Sequence, residues 1–319
     1  MPEQEPAAST PKSSTLPSPR RADWPGDGLR IAVDIWQADE TATPRGVVLL
    51  LHGGGQTRHS WRRTGERLAA AGWHAVAADL RGHGDSDWHP GGDYRTDAYL
   101  ADLKSVAAHA KERWPRMPFA LVGASLGGKT ALLAAGEDPA LAQALVLVDI
   151  AVRVEQSGGR RVQDFMAGAP QGFGSLEEAA AAVSAYNPHR KHSGSPDGLR
   201  KNLRERDGRW YWHWDPAMLG GVRDEREQKR FSAELYERAR RAALDLKCPL
   251  LLVRGIQSDV LSEQGVAEMR ELVDSIRVVD VHDVGHMVAG DDNDVFTSAL
   301  VGFLDTAVSP PGPQKAQRP

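Results

Sequence analysis

Short runs of consecutive apolar residues recur along the chain, and most of them are followed by a polar loop and a segment with helical spacing. Continuous apolar runs of this kind suit central strands that helices cover on both faces. They lie at 46–51, 73–79, 118–122, 144–149 and 248–254, with further strands predicted at 29–36 and 277–281. Helices are predicted at 61–71, 98–113, 130–135, 264–273 and 294–305. This alternation predicts an α/β fold with a doubly wound, mostly parallel sheet.

The rhythm of strand and helix is interrupted between residues 152 and 244, where no buried strand is predicted. Ser175 and Glu178 have the spacing of a capping box, and Ser195 followed by proline is typical of a helix start. We therefore predict an inserted helical cap. The predicted organisation is a disordered N-terminal extension, the first part of the core, the cap, the second part of the core and a disordered tail, at 1–25, 26–151, 152–244, 245–308 and 309–319.

The composition and charge of the chain restrict the partners and the cellular location that we expect for the protein. A chain of 319 residues with 41% hydrophobic content can bury a large core, and its net charge of −4 predicts neither a nucleic-acid nor a membrane partner. The single cysteine, Cys248, is expected to be a small buried thiol. The N-terminal residues lack the apolar region of a secretory signal, and no apolar stretch is long enough to span a bilayer. A cytoplasmic location is expected.

Candidate chemistry begins at residues 121–128, where a buried strand is predicted to turn into a helix at Ser125. Gly123, Ser125 and Gly127 form the Gly-x-Ser-x-Gly pattern of a nucleophile elbow. The glycines have no Cβ to clash in so tight a turn, and the serine hydroxyl is presented at a helix N-terminus. A serine in an ordinary glycine-rich turn is the alternative interpretation, so the other catalytic groups must be found as well.

A serine needs a base to take its proton and an acid to orient that base. The order Ser, Asp or Glu, His along the chain, at the carboxyl ends of strands, favours Asp259 as the acid and His286 as the base. Asp149 is the rival acid, and His282 is the rival base. The oxyanion donors are predicted to be the backbone N–H groups of Leu126 and of Gly54, the middle residue of the triple glycine at 53–55.

These motifs resemble those of the α/β-hydrolases, and the resemblance extends from about residue 29 to 308. Its residues are 52–55, 79–86, 123–128, Asp259 and 285–287. In the family the stretch at 79–86 is structural support, whereas Lys129 replaces an apolar or aromatic residue. A serine at the elbow argues against epoxide hydrolases and haloalkane dehalogenases, which use a carboxylate nucleophile. The spacing of the triad and the cap also resemble bacterial monoalkyl phthalate hydrolases.

The predicted cap carries aromatic and basic residues that could contact a substrate. A tryptophan-rich stretch lies at 210–215 and supplies either a small cap core or rings that line the mouth above the serine. A cap arginine or histidine could bind a free carboxylate on the substrate. The predicted substrate contacts are Gly55, His189, Arg190 and Trp214.

The sequence therefore predicts a serine esterase that cleaves a carboxylic ester through an acyl-enzyme, with a small-molecule ester, such as a monoalkyl phthalate or a similar aromatic monoester, as substrate. No metal or organic cofactor is implied. A carbon–carbon bond hydrolase or a cofactor-free perhydrolase on the same triad is the first alternative. A non-catalytic ligand-binding homologue is the second.

Overall fold

The computed structural model describes residues 18–39, 43–186, 195–220, 225–282, 285–286 and 294–308. The strands in these ranges are β1 (Arg20–Pro25), β2 (Arg30–Trp36), β3 (Gly46–Leu51), β4 (Trp73–Ala78), β5 (Phe119–Ala124), β6 (Ala144–Val148), β7 (Leu203–Arg206), β8 (Arg209–Trp212), β9 (Leu250–Gly255) and β10 (Ile276–Val281). The α-helices are α1 (Arg62–Ala70), α2 (Thr96–Arg113), α3 (Ser125–Glu137), α4 (Gln156–Ala167), α5 (Leu176–Tyr186), α6 (Glu225–Asp245), α7 (Glu263–Leu272) and α8 (Asp294–Ala307).

Eight of these strands form one sheet in the order β1-β2-β4-β3-β5-β6-β9-β10. All neighbouring strands from β4 to β10 in this order are parallel, whereas β1 and β2 pair antiparallel at one edge. The predicted doubly wound, mostly parallel sheet is thereby confirmed. Because the carboxyl ends of its parallel strands share one edge, the loops that follow β3, β5, β6, β9 and β10 meet there.

The core lies on both faces of the sheet. Along β3, Leu49 and Leu51 join one apolar cluster while Val48 and Leu50 join the other, because successive side chains point to opposite faces. Helices α2, α3, α6 and α7 cover the first face, and α1 and α8 cover the second. Burial on both faces explains why these strands read as continuous apolar runs.

The N-terminal boundary predicted at residue 25 is wrong. Arg20–Pro25 is a strand that pairs antiparallel with β2, and Trp24 is buried in the core. The alternation of polar and apolar residues in this segment is short, and its charged residues gave it the composition of a disordered extension. Residues 1–17 and 309–319 lie outside the described residues.

The inserted segment is not purely helical. It contains α4, α5 and an antiparallel hairpin of β7 and β8, whose apolar side packs on α5 through Leu203 and Trp212. The hairpin escaped prediction because it is short and half-exposed, with charged residues at most positions of β7. Ser195 does cap a short 3₁₀ helix through its side chain, as its sequence predicts.

The last helix of the segment, α6, packs with the core rather than with the cap. A Cβ added to Gly136 on α3 would lie 2.2 Å from the carbonyl oxygen of Ala242, so the two helices approach very closely. Ala239 and Ala243 belong to the main apolar cluster as well. The structure therefore ends the cap before α6, earlier than the predicted boundary at 244.

Within the described residues, no helix is long and apolar enough to cross a membrane.

Candidate active site

Ser125 lies at the junction of β5 and α3, as the elbow pattern predicts. Its φ of 44° is in the left-handed region, which L-residues other than glycine, asparagine and aspartate rarely adopt. Such strain persists only where the surrounding structure enforces it, and it is concentrated at functional sites. The turn presents Ser125 at the carboxyl edge of the sheet, at the N-terminus of α3.

The glycines around Ser125 are required by space. A Cβ on Gly123 would lie 2.5 Å from the backbone of Gly127, and a Cβ on Gly127 would lie 2.5 Å from the carbonyl oxygen of Leu51. The backbone of Gly127 also donates to the carbonyl of His52 at 3.1 Å. The elbow is thus packed directly on the end of β3, which brings the glycine turn at 53–55 next to Ser125.

His286 is held by Asp149. Its Nδ1 lies 2.7 Å from Oδ2 of Asp149, and both side chains are buried, with exposed fractions of 7% and 0%. A carboxylate only accepts hydrogen bonds, so Nδ1 carries the proton that is donated. In the neutral ring Nε2 is then the free acceptor, which is the state that a general base requires.

Asp149 directly follows β6 and is itself strained, with a φ of 51°. Its Oδ1 accepts from the Gly255 backbone N–H at 3.0 Å, and its Oδ2 accepts from the Ser258 hydroxyl at 2.5 Å as well as from His286. A buried carboxylate needs such donors to remain charged. The surroundings of Asp149 therefore fix its orientation toward the imidazole.

The prediction that Asp259 holds the histidine is wrong for this structure. Asp259 instead forms a two-point pair with Arg161 on α4, at 2.5 Å and 2.7 Å. Partial burial acts to raise the pKa of the Asp259 carboxyl, but the hydrogen bond and positive charge of Arg161 act to lower it, and the net shift is downward. The exposed fractions of the two side chains are 37% and 38%. In the loop after β9, Ser258 therefore binds Asp149 of the site, whereas Asp259 binds helix α4 of the cap.

The glycine turn leaves one N–H group available. Gly53 donates to the Gln56 side chain at 3.0 Å, and Gly55 donates to Nε2 of His83 at 3.2 Å. The Gly54 N–H has no acceptor among the described residues. A Cβ on Gly53 would lie 3.3 Å from the Cβ of Ser125, so the turn adjoins the serine. Leu126 is in the first turn of α3, whose N–H groups have no intrahelical acceptor.

Two buried histidines support this turn. His52 accepts from the Leu80 N–H at 3.0 Å and bonds the carbonyl of Gly53 at 2.8 Å. His83 accepts from Gly55 and bonds the carbonyl of Arg81 at 3.0 Å. Burial lowers the pKa of His52 to about 4 and that of His83 to about 3, so both rings are neutral and each has one donor and one acceptor nitrogen. The family resemblance implied that residues 79–86, which include His83, are structural support, but it did not show that His83 accepts from the Gly55 N–H.

The cap covers the glycine turn with Met166 and Trp214. A Cβ on Gly54 would lie 3.4 Å from the sulfur of Met166, and one on Gly55 would lie 3.5 Å from the Trp214 ring. Trp214 stacks on Trp212 at 4.8 Å between ring centroids and is only 3% exposed. Trp214 thus adjoins the site but has little exposed surface. Met166 was not predicted as a site residue, because its position within a helix gave no chemical signal in the sequence.

Of the other predicted substrate contacts, Gly55 is the one that lies among the described residues. Gly55 lies in the oxyanion turn, where its N–H is already bound to His83. His189 and Arg190 lie outside the described residues. Histidine, cysteine and carboxylate side chains form no cluster of three that could hold a metal ion in the described part of the chain.

A strained serine and a histidine–aspartate pair at the carboxyl edge of this sheet are the features of an α/β-hydrolase with serine at the nucleophile position. Residues 42–293 match the family described as serine aminopeptidase, S33, and the chain belongs to that family. The predicted class, a serine hydrolase of the α/β-hydrolase superfamily, is confirmed.

Individual relatives agree with this assignment. The esterase Rv0045c of Mycobacterium tuberculosis is 30% identical over 81% of this chain and 83% of its own length. A crystal structure of that esterase superimposes with a TM-score of 0.67 at 28% identity, covering 91% of this chain and 93% of the other. N-formylmaleamate deformylase of Pseudomonas putida is 30% identical over 77% of this chain and 84% of its own length. These relatives support the prediction of a carboxylic ester hydrolase.

Proposed function

We propose that the chain hydrolyses carboxylic esters through an acyl-enzyme on Ser125. The hydrogen bond from His286 Nδ1 to Asp149 carries the proposal, because it leaves Nε2 as the acceptor for the serine proton. The strained elbow and the similarity to an esterase support it.

In the first half-reaction the Ser125 oxygen attacks the ester carbonyl while His286 takes the serine proton. The imidazolium that forms is stabilised by the Asp149 carboxylate. Collapse of the tetrahedral intermediate breaks the bond to the alkoxy oxygen, which leaves as alcohol with the proton from His286. In the second half-reaction His286 takes a proton from water, and the hydroxide attacks the acyl-enzyme. Release of the carboxylic acid returns that proton to Ser125.

The negative oxygen of each intermediate binds the N–H groups of Leu126 and Gly54. Leu126 lies in the first turn of α3, and the Gly54 N–H has no acceptor of its own in the described ranges, so it is free to bind the oxyanion. Preorganised donors of this kind cost nothing to reorient during reaction, and the loss of one lowers kcat about 10²- to 10³-fold.

The experiment that tests this mechanism measures hydrolysis of a short p-nitrophenyl ester by wild type and by Ser125→Ala, together with labelling by a fluorophosphonate. We expect wild type to be active and labelled, and the variant to be neither, since an unactivated serine reacts poorly with either reagent. Labelling that survives Ser125→Ala, or unchanged turnover, refutes the assignment of the nucleophile. A wild type that is unlabelled and inactive favours the ligand-binding alternative.

For the substrate we propose an aromatic monoester such as a monoalkyl phthalate. A stack of cap rings supports this: Phe165 lies 5.3 Å from Trp212, which stacks on Trp214 beside the glycine turn. Steady-state hydrolysis of monoethyl phthalate, diethyl phthalate and p-nitrophenyl acetate separates the possibilities. A strong preference for the monoester supports the substrate class, whereas equal rates on all three refute it and leave the ester chemistry standing. Cleavage of a diketone, or bromination with peroxide, without ester hydrolysis favours the carbon–carbon hydrolase or perhydrolase alternative.

A further inference from the structure

One stripe in the first turns of helix α3 remains open while most of the helix is covered. Residues 127, 128 and 130–136 are buried, whereas Ser125, Leu126 and Lys129 keep part of their surface. In an α-helix positions three and four apart lie on the same face. Lys129 therefore belongs to the same face as the predicted nucleophile and the predicted oxyanion donor, one turn further along.

The lysine stem is directed toward the site by helix geometry. Long side chains on a helix lean toward its N-terminus and cover the turn before their own Cα. Four residues of helix rise about 6 Å, a distance that the flexible four-carbon stem of lysine can span. The stem of Lys129 is thus long enough to bring its ammonium group to the level of Ser125.

Lys129 has no hydrogen-bond or ion-pair partner among the described residues. Burial lowers its pKa, with no neighbouring charge acting against that effect. The arginines around the cap and the glycine turn differ in this respect. Three of them are bound to carboxylates: Arg161 to Asp259, Arg204 to Asp85, and Arg58 to Asp34, Asp79 and Asp85.

A largely enclosed lysine with no partner among the described residues is costly to the fold, because in that part of the chain no anion compensates its desolvated ammonium. The cost is removed when a ligand supplies the anion. On this basis, which rests on the proposed ester hydrolysis, we propose that Lys129 is the specificity-determining residue that binds a carboxylate of the substrate. The site then prefers esters of dicarboxylic acids that keep one free carboxylate, and the carboxylate is recognised from the core rather than by a cap arginine.

The test compares esters that differ only in the anionic group: monoethyl phthalate with ethyl benzoate, and monomethyl glutarate with methyl pentanoate. Proton release in a pH-stat gives kcat and KM for wild type, Lys129→Met and Lys129→Arg. We expect Lys129→Met to lower kcat/KM for the monoanionic esters on the order of 10- to 100-fold, the range of a charge-assisted hydrogen bond, mainly through KM. The neutral esters should be unaffected, and Lys129→Arg should restore part of the preference.

Lys247→Met is the matched control, since Lys247 is exposed on the loop before β9. It should behave as wild type on all four esters. An equal loss on neutral and anionic esters in Lys129→Met would show a structural role and overturn the proposal. Turnover of neutral esters with no preference for the anionic ones, unchanged in Lys129→Met, overturns it while the proposed esterase function stands.

A binding measurement keeps the proposal testable if no ester is turned over. Isothermal titration of phthalate and of glutarate into Ser125→Ala, with and without Lys129→Met, reports the carboxylate site without catalysis. Weaker binding by the double variant supports the site even if the proposed esterase function fails. Equal binding by the two proteins, or binding by neither, overturns the assignment of Lys129.

Discussion

Replacing Asp149 by asparagine tests the central contact of the site. The asparagine amide has the shape of the carboxylate but combines one acceptor oxygen with an N–H₂ donor. Three donors converge on this position: the Gly255 N–H on one oxygen, and the Ser258 hydroxyl and His286 Nδ1–H on the other. Whichever way the amide is turned, one of the native donors faces an N–H₂ group.

The consequence for His286 can be worked out from these contacts. If the amide oxygen takes the Gly255 N–H, the N–H₂ group donates to Nδ1 and the ring proton moves to Nε2. That tautomer cannot accept the serine proton, and a comparable change in a serine protease triad lowers kcat about 10⁴-fold. This fold-change corresponds to about 5 kcal/mol of transition-state stabilisation. If the amide is reversed, two buried donors oppose each other at Gly255, which costs about 1–3 kcal/mol of stability.

Asp259→Asn is the matched control because Asp259 is the acid that the sequence favours. Its pair with Arg161 is more than a third exposed, and exposed ion pairs contribute about 1 kcal/mol or less. We expect kcat to change less than about threefold in this variant, with a small rise in KM from a looser cap. The assay is stopped-flow and steady-state hydrolysis of p-nitrophenyl acetate, with circular dichroism to verify folding. A dead Asp259→Asn and an active Asp149→Asn would refute the reasoning.

Three further predictions follow from the buried groups. Gly127→Ala should fold poorly or lose activity, because its Cβ would lie 2.5 Å from a backbone oxygen of β3; thermal melts and esterase assays check this. His83→Phe removes the acceptor of the Gly55 N–H, so we expect a kcat about tenfold lower at little changed KM, since oxyanion donors act on the transition state. The pKa of His83 is about 3 in the folded protein, against about 6.5 in the unfolded chain. The contribution of His83 to the free energy of unfolding is therefore fully present above about pH 6.5 and decreases as the pH falls toward 3, so urea titrations should show a shallower pH dependence in the variant. Burial raises the pKa of the Cys248 thiol to about 11, so Ellman's reagent should modify it at pH 8 only after denaturation, and rapid modification of the native protein would contradict this.

The parallel core was predictable because its central strands are buried on both faces. The six residues of β3, for example, are all apolar or glycine and all buried, so their sequence signal is strong. The elbow was predictable as well, since its glycines are required by space and leave a fixed pattern around Ser125.

The choice between Asp149 and Asp259 was not predictable in the same way. Both residues follow apolar strands of one sheet, in loops at its carboxyl edge. What separates them is the course of the loop after β9, which turns Ser258 toward Asp149 and leaves Asp259 to Arg161. That course depends on packing against α4, and one of two adjacent arginines in an amphipathic helix does not indicate its partner.

Among the described residues, charged pairs join the cap to the core at three places. Arg161 binds Asp259, Arg204 binds Asp85 and Arg153 binds Glu268, and all six side chains are still partly in contact with solvent. Dissolved ions screen such pairs over a Debye length of about 8 Å at physiological ionic strength. Added salt should therefore weaken the attachment of the cap to the core while leaving the buried His286–Asp149 pair intact. Ionic strength would then change the access of substrate to Ser125 without altering the chemistry at that residue.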